Sequence, residues 1–355
     1  MHAEDRHQAI LRRLRERGSL RVTDFAEELK VSAVTVRRDV EALAERGLVA
    51  RVHGGALLPE AASASATAAP AFRSPGGPGP GPVFGLVVPA ADYYYPEVIK
   101  GAGEAAAARG IRLVLGISQY RPDEEQAQVR QLLAHGIDGL LIAPCGPAGD
   151  QDWLAALGVP FALVERRSGD DVPGAEGVVT DHVYGARLAV RHLARAGRER
   201  IGLLLRADSP HSAPVLEGYL GGLASLALPA PGELRFTITA PETDPVRRDA
   251  QLDEFTRAVA AGLLDAVLVH NDHDAIVLLP RLRAHGLRVP GDLAIVAYDD
   301  EVAALADIPL TAVAPPKRAV GVAAVDLLAS RITDPARPRH RLAILPELKV
   351  RASSA

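Results

Sequence analysis

From residue 83 onward, the sequence alternates short apolar runs, predicted to be strands, with helical patterns. Continuous apolar strands that are each followed by a helix indicate a parallel, doubly wound sheet. Strands are predicted at residues 83–88, 111–115, 139–143, 160–164, 201–205, 235–239, 266–270 and 293–297, and helices at 96–109, 124–134, 184–196, 252–261 and 275–285. The pattern restarts near residue 201, so the sequence predicts two similar α/β lobes.

The N-terminal residues have a different pattern, of three helices and a short hairpin. The first helix is predicted at residues 4–17, Thr23 is predicted to cap the second, and Ser32 to open a third that ends near residue 47. A strand over 48–53 and a turn at two glycines complete a predicted winged helix-turn-helix.

The third helix is the segment predicted to read DNA. Val36, Val40 and Leu43 recur at i, i+4 and i+7 and form one apolar stripe, while Arg37 and Arg38 project from other faces. Guanidinium groups placed in this way suit phosphates and base edges. On this stretch alone, an ordinary amphipathic helix with a solvated charged face explains the pattern equally well. Asp39, close to the stripe, is expected to pair with a neighbouring arginine rather than touch DNA.

Composition and charge limit the classes of protein. The chain has 355 residues, one cysteine (Cys145) and a formal net charge of −4. Residues 1–58 hold 11 Lys and Arg against 9 Asp and Glu, a net of +2, so the remainder carries −6. No apolar run approaches the roughly 20 residues that span a bilayer, and no signal peptide is recognisable. We therefore expect a cytoplasmic protein without membrane association, with DNA binding confined to one end.

Between the two patterns, residues 59–82 are rich in Ala, Ser, Pro and Gly and lack large apolar side chains. Such a segment cannot bury enough surface to fold alone, and its prolines favour an extended conformation. We predict a linker, which gives a DNA-binding domain at 1–58 and an α/β domain at 83–355.

The N-terminal motif resembles the DeoR family of bacterial transcriptional regulators. The matching residues are Val31-Ser32, Thr35-Val36-Arg37-Arg38-Asp39-Val40, Gly47 and Arg51-Val52-His53-Gly54-Gly55-Ala56. The resemblance implies that Ser32, Thr35, Arg37 and Arg38 face DNA, and that Arg51 and His53 lie in the wing beside the backbone. His53 fits a packing role in the wing equally well.

The α/β region resembles the effector domain of the LacI/GalR family. The matching motifs include Asp181 to Gly185, Asn271 to Ala275, Val289-Pro290-Gly291-Asp292, Ala297-Tyr298-Asp299-Asp300 and Pro346 to Arg351. The resemblance implies a C-terminal two-lobed type I periplasmic-binding-protein fold with a ligand cleft between the lobes. The first lobe is expected to comprise about 83–181 and 311–332, and the second about 182–310 and 333–355.

Ligands of doubly wound sheets bind outside the carboxyl ends of the strands, and this selects loop residues. Three aromatic residues follow the first strand, and a ring there could stack on a sugar or a base; packing between the lobes is the alternative. Polar groups after several strands suit a polyhydroxyl ligand. The predicted contacts are Tyr94, Tyr95, Ser118, Arg166, Asp181, Asn271 and Asp299; of these, the resemblance assigns Arg166, Asn271 and Asp299. Asp272 and Asp300 are alternatively expected to cap the helices that follow them.

One position departs from the LacI/GalR pattern. The family often places an arginine three residues before a Gly-aromatic pair, but here Val215 precedes Gly218-Tyr219. A bidentate donor is lost, and His211 or Ser212 could partly replace it. The departure leaves the sugar assignment open.

The features together predict a ligand-responsive transcriptional regulator, a homodimer or higher homo-oligomer on operator DNA, which represses genes for using a carbohydrate or related metabolite. A solute-binding protein without sequence-specific DNA binding is the alternative. Catalysis is not expected, because Asp272, Asp274, Asp299 and Asp300 include no nucleophile with its base. No phosphate-binding glycine loop and no His/Cys group with metal-ligand spacing is recognisable, so no cofactor and no metal are expected.

Overall fold

The computed structural model describes residues 3–17, 19–29, 31, 33–45, 49–52, 55–57, 81–145, 151–167, 174–229, 234–239 and 244–355. The chain divides into two compact units, residues 1–77 and 78–355. Ser32, His53 and linker residues 59–80 lie outside the described residues, as does the glycine at position 54.

The first unit has the predicted winged helix-turn-helix elements. They are α1 (Ala3–Arg17), β1 (Ser19–Arg21), α2 (Val22–Leu29), α3 (Ala33–Glu45), β2 (Ala50–Val52) and β3 (Gly55–Leu57). The three strands form one antiparallel sheet in the order β1-β3-β2. Helix α2 already begins at Val22, so Thr23 lies inside the first turn and the prediction that it caps the helix is wrong.

The core of the first unit confirms the apolar stripe on α3. Val36, Val40 and Leu43 are buried and pack with residues of α1 and α2. Asp39, on the same helix, accepts hydrogen bonds from Arg6 Nε (2.6 Å) and Nη2 (3.0 Å). This bidentate ion pair is almost fully buried, so it anchors α3 to α1 and confirms that Asp39 has an arginine partner.

The second unit alternates strands and helices. In chain order its elements are β4 (Val83–Val88), α4 (Tyr95–Ala108), β5 (Arg112–Ile117), α5 (Pro122–Ala134), β6 (Gly139–Ile142), a 3₁₀ turn (Asp152–Ala156), β7 (Phe161–Val164), β8 (Glu176–Thr180), α6 (His182–Arg195), β9 (Ile201–Arg206), α7 (Ser212–Ser225), β10 (Arg235–Ile238), α8 (Pro245–Ala260), β11 (Ala266–Val269), α9 (Asp272–Ala284), β12 (Ala294–Tyr298), a 3₁₀ turn (Ala303–Leu305), β13 (Thr311–Ala314), α10 (Lys317–Thr333), β14 (Arg341–Ile344) and β15 (Glu347–Lys349).

These strands form two six-stranded sheets, one in each lobe. The first sheet has the order β14-β8-β7-β6-β4-β5, and its strands are all parallel to their neighbours. The second has the order β10-β9-β11-β12-β13-β15, parallel except for its edge strand β15. Helix α7 was not predicted, because its glycines and its apolar residues give no clear amphipathic period.

The boundaries predicted for the lobes need correction at two short strands. Residues 311–314 were assigned to the first lobe, but β13 pairs with β12 in the second sheet. Residues 341–344 were assigned to the second lobe, but β14 pairs with β8 in the first. The chain therefore crosses between lobes after β8, after β13 and after β14. Strands of four residues carry too little pattern to reveal which sheet edge they join.

Close packing of α4 against α10 fixes the wall of the first lobe. A Cβ atom on Gly101 would lie 2.0 Å from the Arg318 carbonyl oxygen, and one on Gly321 would lie 2.1 Å from the Val98 carbonyl oxygen. Only glycine permits this approach of the two backbones. The contact sets the N-termini of both helices, with Tyr95 and Lys317, beside the cleft. Among the helices that the structure describes, none has the length and apolarity to cross a membrane.

Candidate functional site

A cavity of about 1030 Å³ lies between the two lobes at the carboxyl ends of their strands. The loops after β4, β5 and β7 line it from the first lobe, and those after β9, β11 and β12 line it from the second. This is the position expected for ligands of doubly wound sheets. Its lining residues are Pro89, Ala90, Ala91, Asp92, Tyr93, Tyr94, Tyr95, Ile117, Gln119, Tyr120, Arg166, Arg206, Asp208, Ser209, Pro210, His211, His270, Asn271, His273 and Asp299.

Five of the seven residues predicted to contact ligand line this cavity: Tyr94, Tyr95, Arg166, Asn271 and Asp299. The other two are elsewhere in the fold. The Ser118 side chain is fully buried, and the Asp181 carboxylate caps α6 by accepting a hydrogen bond from the Tyr184 N–H (2.9 Å). Neither is among the lining residues.

Tyr93 links the lobes across the cavity. Its hydroxyl, from the first lobe, donates to Asp272 (2.5 Å) and lies 3.2 Å from Asp299 Oδ2, both in the second lobe. Asp272 also accepts hydrogen bonds from the backbone N–H groups of Val302 and Ala303. Asp272 therefore holds a 3₁₀ turn in place, and Asn271 is the residue that caps α9. The expected capping role for Asp272 is wrong.

Tyr94 is part of a buried network on the first lobe. Its hydroxyl donates to Glu165 Oε1 (2.9 Å), which also accepts from Thr180 Oγ1 (2.7 Å). Burial alone would raise the pKa of Glu165, but hydrogen bonds and charge from His182, together with Thr180, leave this pKa below its ordinary value. Glu165 is therefore ionised near neutral pH, and the Tyr94 ring is held with one face toward the Lys317 ammonium, 5.0 Å from the ring centre.

Asp299 is the carboxylate most able to respond to a ligand. Burial raises its pKa to about 6, Lys317 acts against this shift, and Asp272 adds to it. The second carboxylate predicted to cap a helix, Asp300, instead forms a bidentate pair with Arg351. Asp274 pairs with arginines from β9 and α8. Of the four carboxylates considered for catalysis, Asp299 alone lines the cavity in the described part of the chain.

Two histidines of the second lobe, His211 and His270, line the cavity, and a third, His182, packs against the first of them. Burial lowers the pKa of His270 to about 3 and lowers the pKa of His211 well below its ordinary value. His211 stacks on His182 with ring centres 4.1 Å apart. Both His211 and His270 are thus neutral near pH 7 and offer either a donor or an acceptor to a ligand.

Possible metal ligands come together here although they are far apart in the sequence. Donor atoms of Glu165, His182 and His211 lie within 4.8 Å of one another. However, Arg166 Nη1 lies 3.3 Å from His211 Nε2, and a positive charge so close disfavours a bound cation. The expectation that the protein binds no metal remains a prediction.

Residues that the sequence analysis missed surround the predicted ones. Tyr93, Gln119 and Tyr120 line the cavity with positive φ angles of 50°, 52° and 57°, and the predicted Asp299 shares this feature with a φ of 81°. Non-glycine residues in this backbone region are rare and concentrate at functional sites. Backbone strain of this kind has no sequence signature. His211 lines the cavity as suggested, whereas Ser212 does not, and Val215 is fully buried in the second lobe.

In the first unit, the described part of the predicted DNA-reading surface is α3. The Arg38 side chain is exposed and Thr35 is half-buried. Arg37 lies on α3 and Arg51 on β2, but their side chains are not among those described. The buried stripe and the Asp39–Arg6 pair hold one side of α3, so the side that carries Arg38 faces solvent.

Comparisons with known proteins agree with both units. Residues 6–62 match the model of the DeoR-like helix-turn-helix domain, and residues 190–354 match that of the periplasmic binding protein-like domain. The HTH-type transcriptional regulator reg1 of Streptomyces lividans is 30% identical over 76% of this chain and 80% of its own. The arabinose metabolism transcriptional repressor of Geobacillus stearothermophilus is 28% identical over 68% of this chain and 67% of its own.

A solved structure of the transcriptional regulator CelR in complex with cellobiose has a TM-score of 0.66 and 26% identity, and covers 91% of both chains. A winged helix-turn-helix and a two-lobed α/β unit with a ligand-sized cleft define a DNA-binding transcriptional regulator. The chain belongs to the LacI-type family of these regulators, and its DNA-binding domain is of the DeoR-like type.

Proposed function

We propose that this regulator is a repressor of genes for using a carbohydrate or a related small metabolite, and that its effector binds in the cavity between the lobes. The observation that carries the proposal is the cavity itself. Its volume of about 1030 Å³, its tyrosine rings and its polar side chains suit a mono- or oligosaccharide, whose apolar faces stack on rings while its hydroxyls need donors and acceptors.

DNA binding is assigned to residues 1–58, with 59–82 as the linker and 83–355 as the effector domain. Within the first domain, Ser32, Thr35, Arg37 and Arg38 are proposed to contact DNA from the reading helix. Arg51 and His53 are proposed to contact the backbone from the wing. The exposed Arg38 side chain on a helix anchored by buried residues supports this assignment.

Effector binding is assigned to Tyr94, Tyr95, Arg166, Asn271 and Asp299. A ligand that contacts both lobes favours one arrangement of the lobes over another. Tyr93 already joins the lobes through its hydrogen bond to Asp272, so a change of lobe arrangement would move its side chain. A homodimer would turn a change of lobe closure into a change in the spacing of its two reading helices.

We further propose that the chain acts in the cytoplasm and has no catalytic activity. Asp272, Asp274 and Asp300 are each engaged by backbone N–H groups or by arginines. A lone Asp299 provides no nucleophile with an adjacent base. This arrangement supports binding rather than turnover.

DNA selection tests the proposal. The full-length protein is incubated with a random duplex library, and bound sequences are enriched and then measured by fluorescence anisotropy between about 50 and about 200 mM salt. We expect an enriched motif with two related half-sites and an affinity that falls steeply with salt. Failure to enrich any motif would contradict DNA-sequence recognition and favour a solute-binding protein without it.

A further inference from the structure

Arg166 stands apart from the other charged groups of the cavity. It follows β7, is 8% exposed, and donates from Nε to the Pro144 carbonyl oxygen (3.0 Å) and from Nη1 to the Glu165 carbonyl oxygen (2.9 Å). Its third neighbour is His211 Nε2, 3.3 Å from Nη1. All three of these partners of Arg166 in the described part of the chain are uncharged. Two are main-chain carbonyl oxygens, and the third is the neutral His211 ring.

The other arginine of the cavity shows the contrast. Arg206 is bound by the Asp208 carboxylate (3.1 and 3.0 Å) and lies 3.5 Å from Asp274. A nearly buried guanidinium without a carboxylate at ion-pair distance is costly, because burial removes water from the charge. In the described part of the chain, Arg166 makes no such pair and interacts with the Glu125 charge only at longer range. The Arg206 guanidinium is thus already paired with a carboxylate, whereas that of Arg166 remains able to bind an anion.

Two phenol groups stand beside the Arg166 guanidinium. Burial raises the pKa of the Tyr95 and Tyr120 hydroxyls, and the Arg166 charge acts against this shift in both. The Tyr95 side chain is 2% exposed, and its hydroxyl has no hydrogen-bond partner within the described part of the chain. Both tyrosines line the cavity with Arg166. The three groups form a cluster of donors, which we call the Arg166 cluster, on the first-lobe wall.

The second-lobe wall of the cavity, opposite the Arg166 cluster, carries groups that bind hydroxyls. Asp299 is an acceptor there, and Asn271, whose Oδ1 is occupied by the Asp274 N–H (2.8 Å), offers its amide N–H₂ group. These are partners for hydroxyl groups. A ligand that spans the cavity would thus meet a positive pole at one end and hydroxyl-binding groups at the other.

We infer that the effector is an anionic sugar, whose carboxylate or phosphate group binds the Arg166 cluster and whose hydroxyl groups bind Asp299 and Asn271. This inference rests on the proposed function of the cavity as a sugar site and narrows it to one chemical class. The guanidinium fork matches both anions, and the sugar body occupies the space beside Tyr93 and Tyr94.

Matched pairs of probes test the inference. The thermal unfolding of the full-length protein is recorded with glucuronate, galacturonate, gluconate and glucose 6-phosphate, each against glucose, galactose or sorbitol at equal concentration and equal ionic strength. We expect at least one anionic sugar to raise the midpoint temperature while its neutral counterpart leaves it unchanged. The acid and phosphate arms separate the two possible anions.

Substitutions then locate the anion. For the anionic sugar that binds, R166Q is expected to weaken the affinity measured by calorimetry about tenfold to a hundredfold, since a hydrogen-bonded charge pair is lost. R166Q also loses hydrogen bonds to two carbonyl oxygens, which could weaken the fold itself. Y120F is therefore the second variant, because it removes only one hydroxyl from a largely exposed ring. We expect Y120F to weaken the affinity for the anionic sugar about threefold to tenfold. R130Q, on an exposed face of α5 in the same lobe, is the control and should bind as the wild type does.

Three results would overturn the inference: equal stabilisation by a neutral counterpart, unchanged affinity in both R166Q and Y120F, or no stabilisation by any of the four anionic probes. A response to neutral sugars alone would leave the proposed sugar-responsive function standing and reject only its anionic class. Loss of the proposed function itself would appear in the separate DNA-selection experiment.

Discussion

Asp299 should give the second unit a pH-dependent stability that an Asn at this position abolishes. Burial raises the Asp299 pKa from 3.8 to about 6 in the folded protein, so the folded state binds the proton more tightly than the unfolded state does. The stabilisation is complete below pH 3.8 and is lost as the pH rises through about 6. Each pKa unit corresponds to about 1.4 kcal/mol.

Protonation of Asp299 therefore contributes about 3 kcal/mol to the free energy of unfolding at low pH. About 2 kcal/mol of this contribution is lost between about pH 4.5 and about pH 7.5. This value is the upper end of the expected range, because the side chain is partly open to water in the cavity. Trp153 is the single tryptophan and lies in the second unit. Its fluorescence during urea unfolding reports the free energy of unfolding of this unit alone.

We expect D299N to gain up to about 2 kcal/mol relative to the wild type as the pH rises over this range. D265N provides the control: the Asp265 carboxylate accepts a hydrogen bond from the Arg200 N–H at the opposite end of the second-lobe sheet and lies outside the cavity. A difference between D299N and wild type that stays constant with pH, or that shrinks as the pH rises, would refute the raised pKa of Asp299.

Three further substitutions probe individual residues of the two units. R38A should abolish sequence-specific DNA binding in anisotropy measurements and leave ligand-induced thermal stabilisation intact; loss of both would contradict separable domains. D39N should destabilise the first unit by about 3 kcal/mol, because it breaks a nearly buried bidentate pair with Arg6, and faster amide exchange in α3 would reveal it. G101A should lower the midpoint temperature of the second unit, since its Cβ would lie 2.0 Å from a carbonyl oxygen of α10. G103A on the same helix is the control: a Cβ there meets nothing within 4 Å, so this variant should be neutral or stabilise by up to about 1 kcal/mol. Equal effects of the two substitutions would contradict the close helix packing.

Much of the fold follows from local sequence pattern. The strands at 83–88 and 139–142 are continuous apolar runs, and the stripe of Val36, Val40 and Leu43 has the helical period, so each was recognisable without tertiary information. The lobe boundaries expected from the resemblance place residues 311–314 and 341–344, which form β13 and β14, in the wrong lobes. Their pairing depends on which sheet edge is open, and this is a property of the assembled lobes rather than of four residues.

The sequence predicts those residues of the site that lie in loops directly after strands. Tyr94, Arg166 and Asp299 follow strands of parallel sheets, and such loops meet at one edge. Asp181 also follows a strand, but its carboxylate caps α6, and a capping residue and a ligand contact look alike in sequence. The partnership of Arg166 with Tyr95 and Tyr120 arises only when separate loops are brought together.

A titration of the protein–DNA complex with sugar shows directly whether the cavity controls DNA binding. The full-length protein is bound to its selected duplex, and the sugar that stabilises it most is added while anisotropy is recorded, with D299A as the variant whose cavity is impaired. We expect the sugar to change the DNA affinity of the wild type by at least about fivefold and to leave that of D299A unchanged. A sugar that binds the cavity yet leaves wild-type DNA affinity unaltered would contradict control of DNA binding by the cavity.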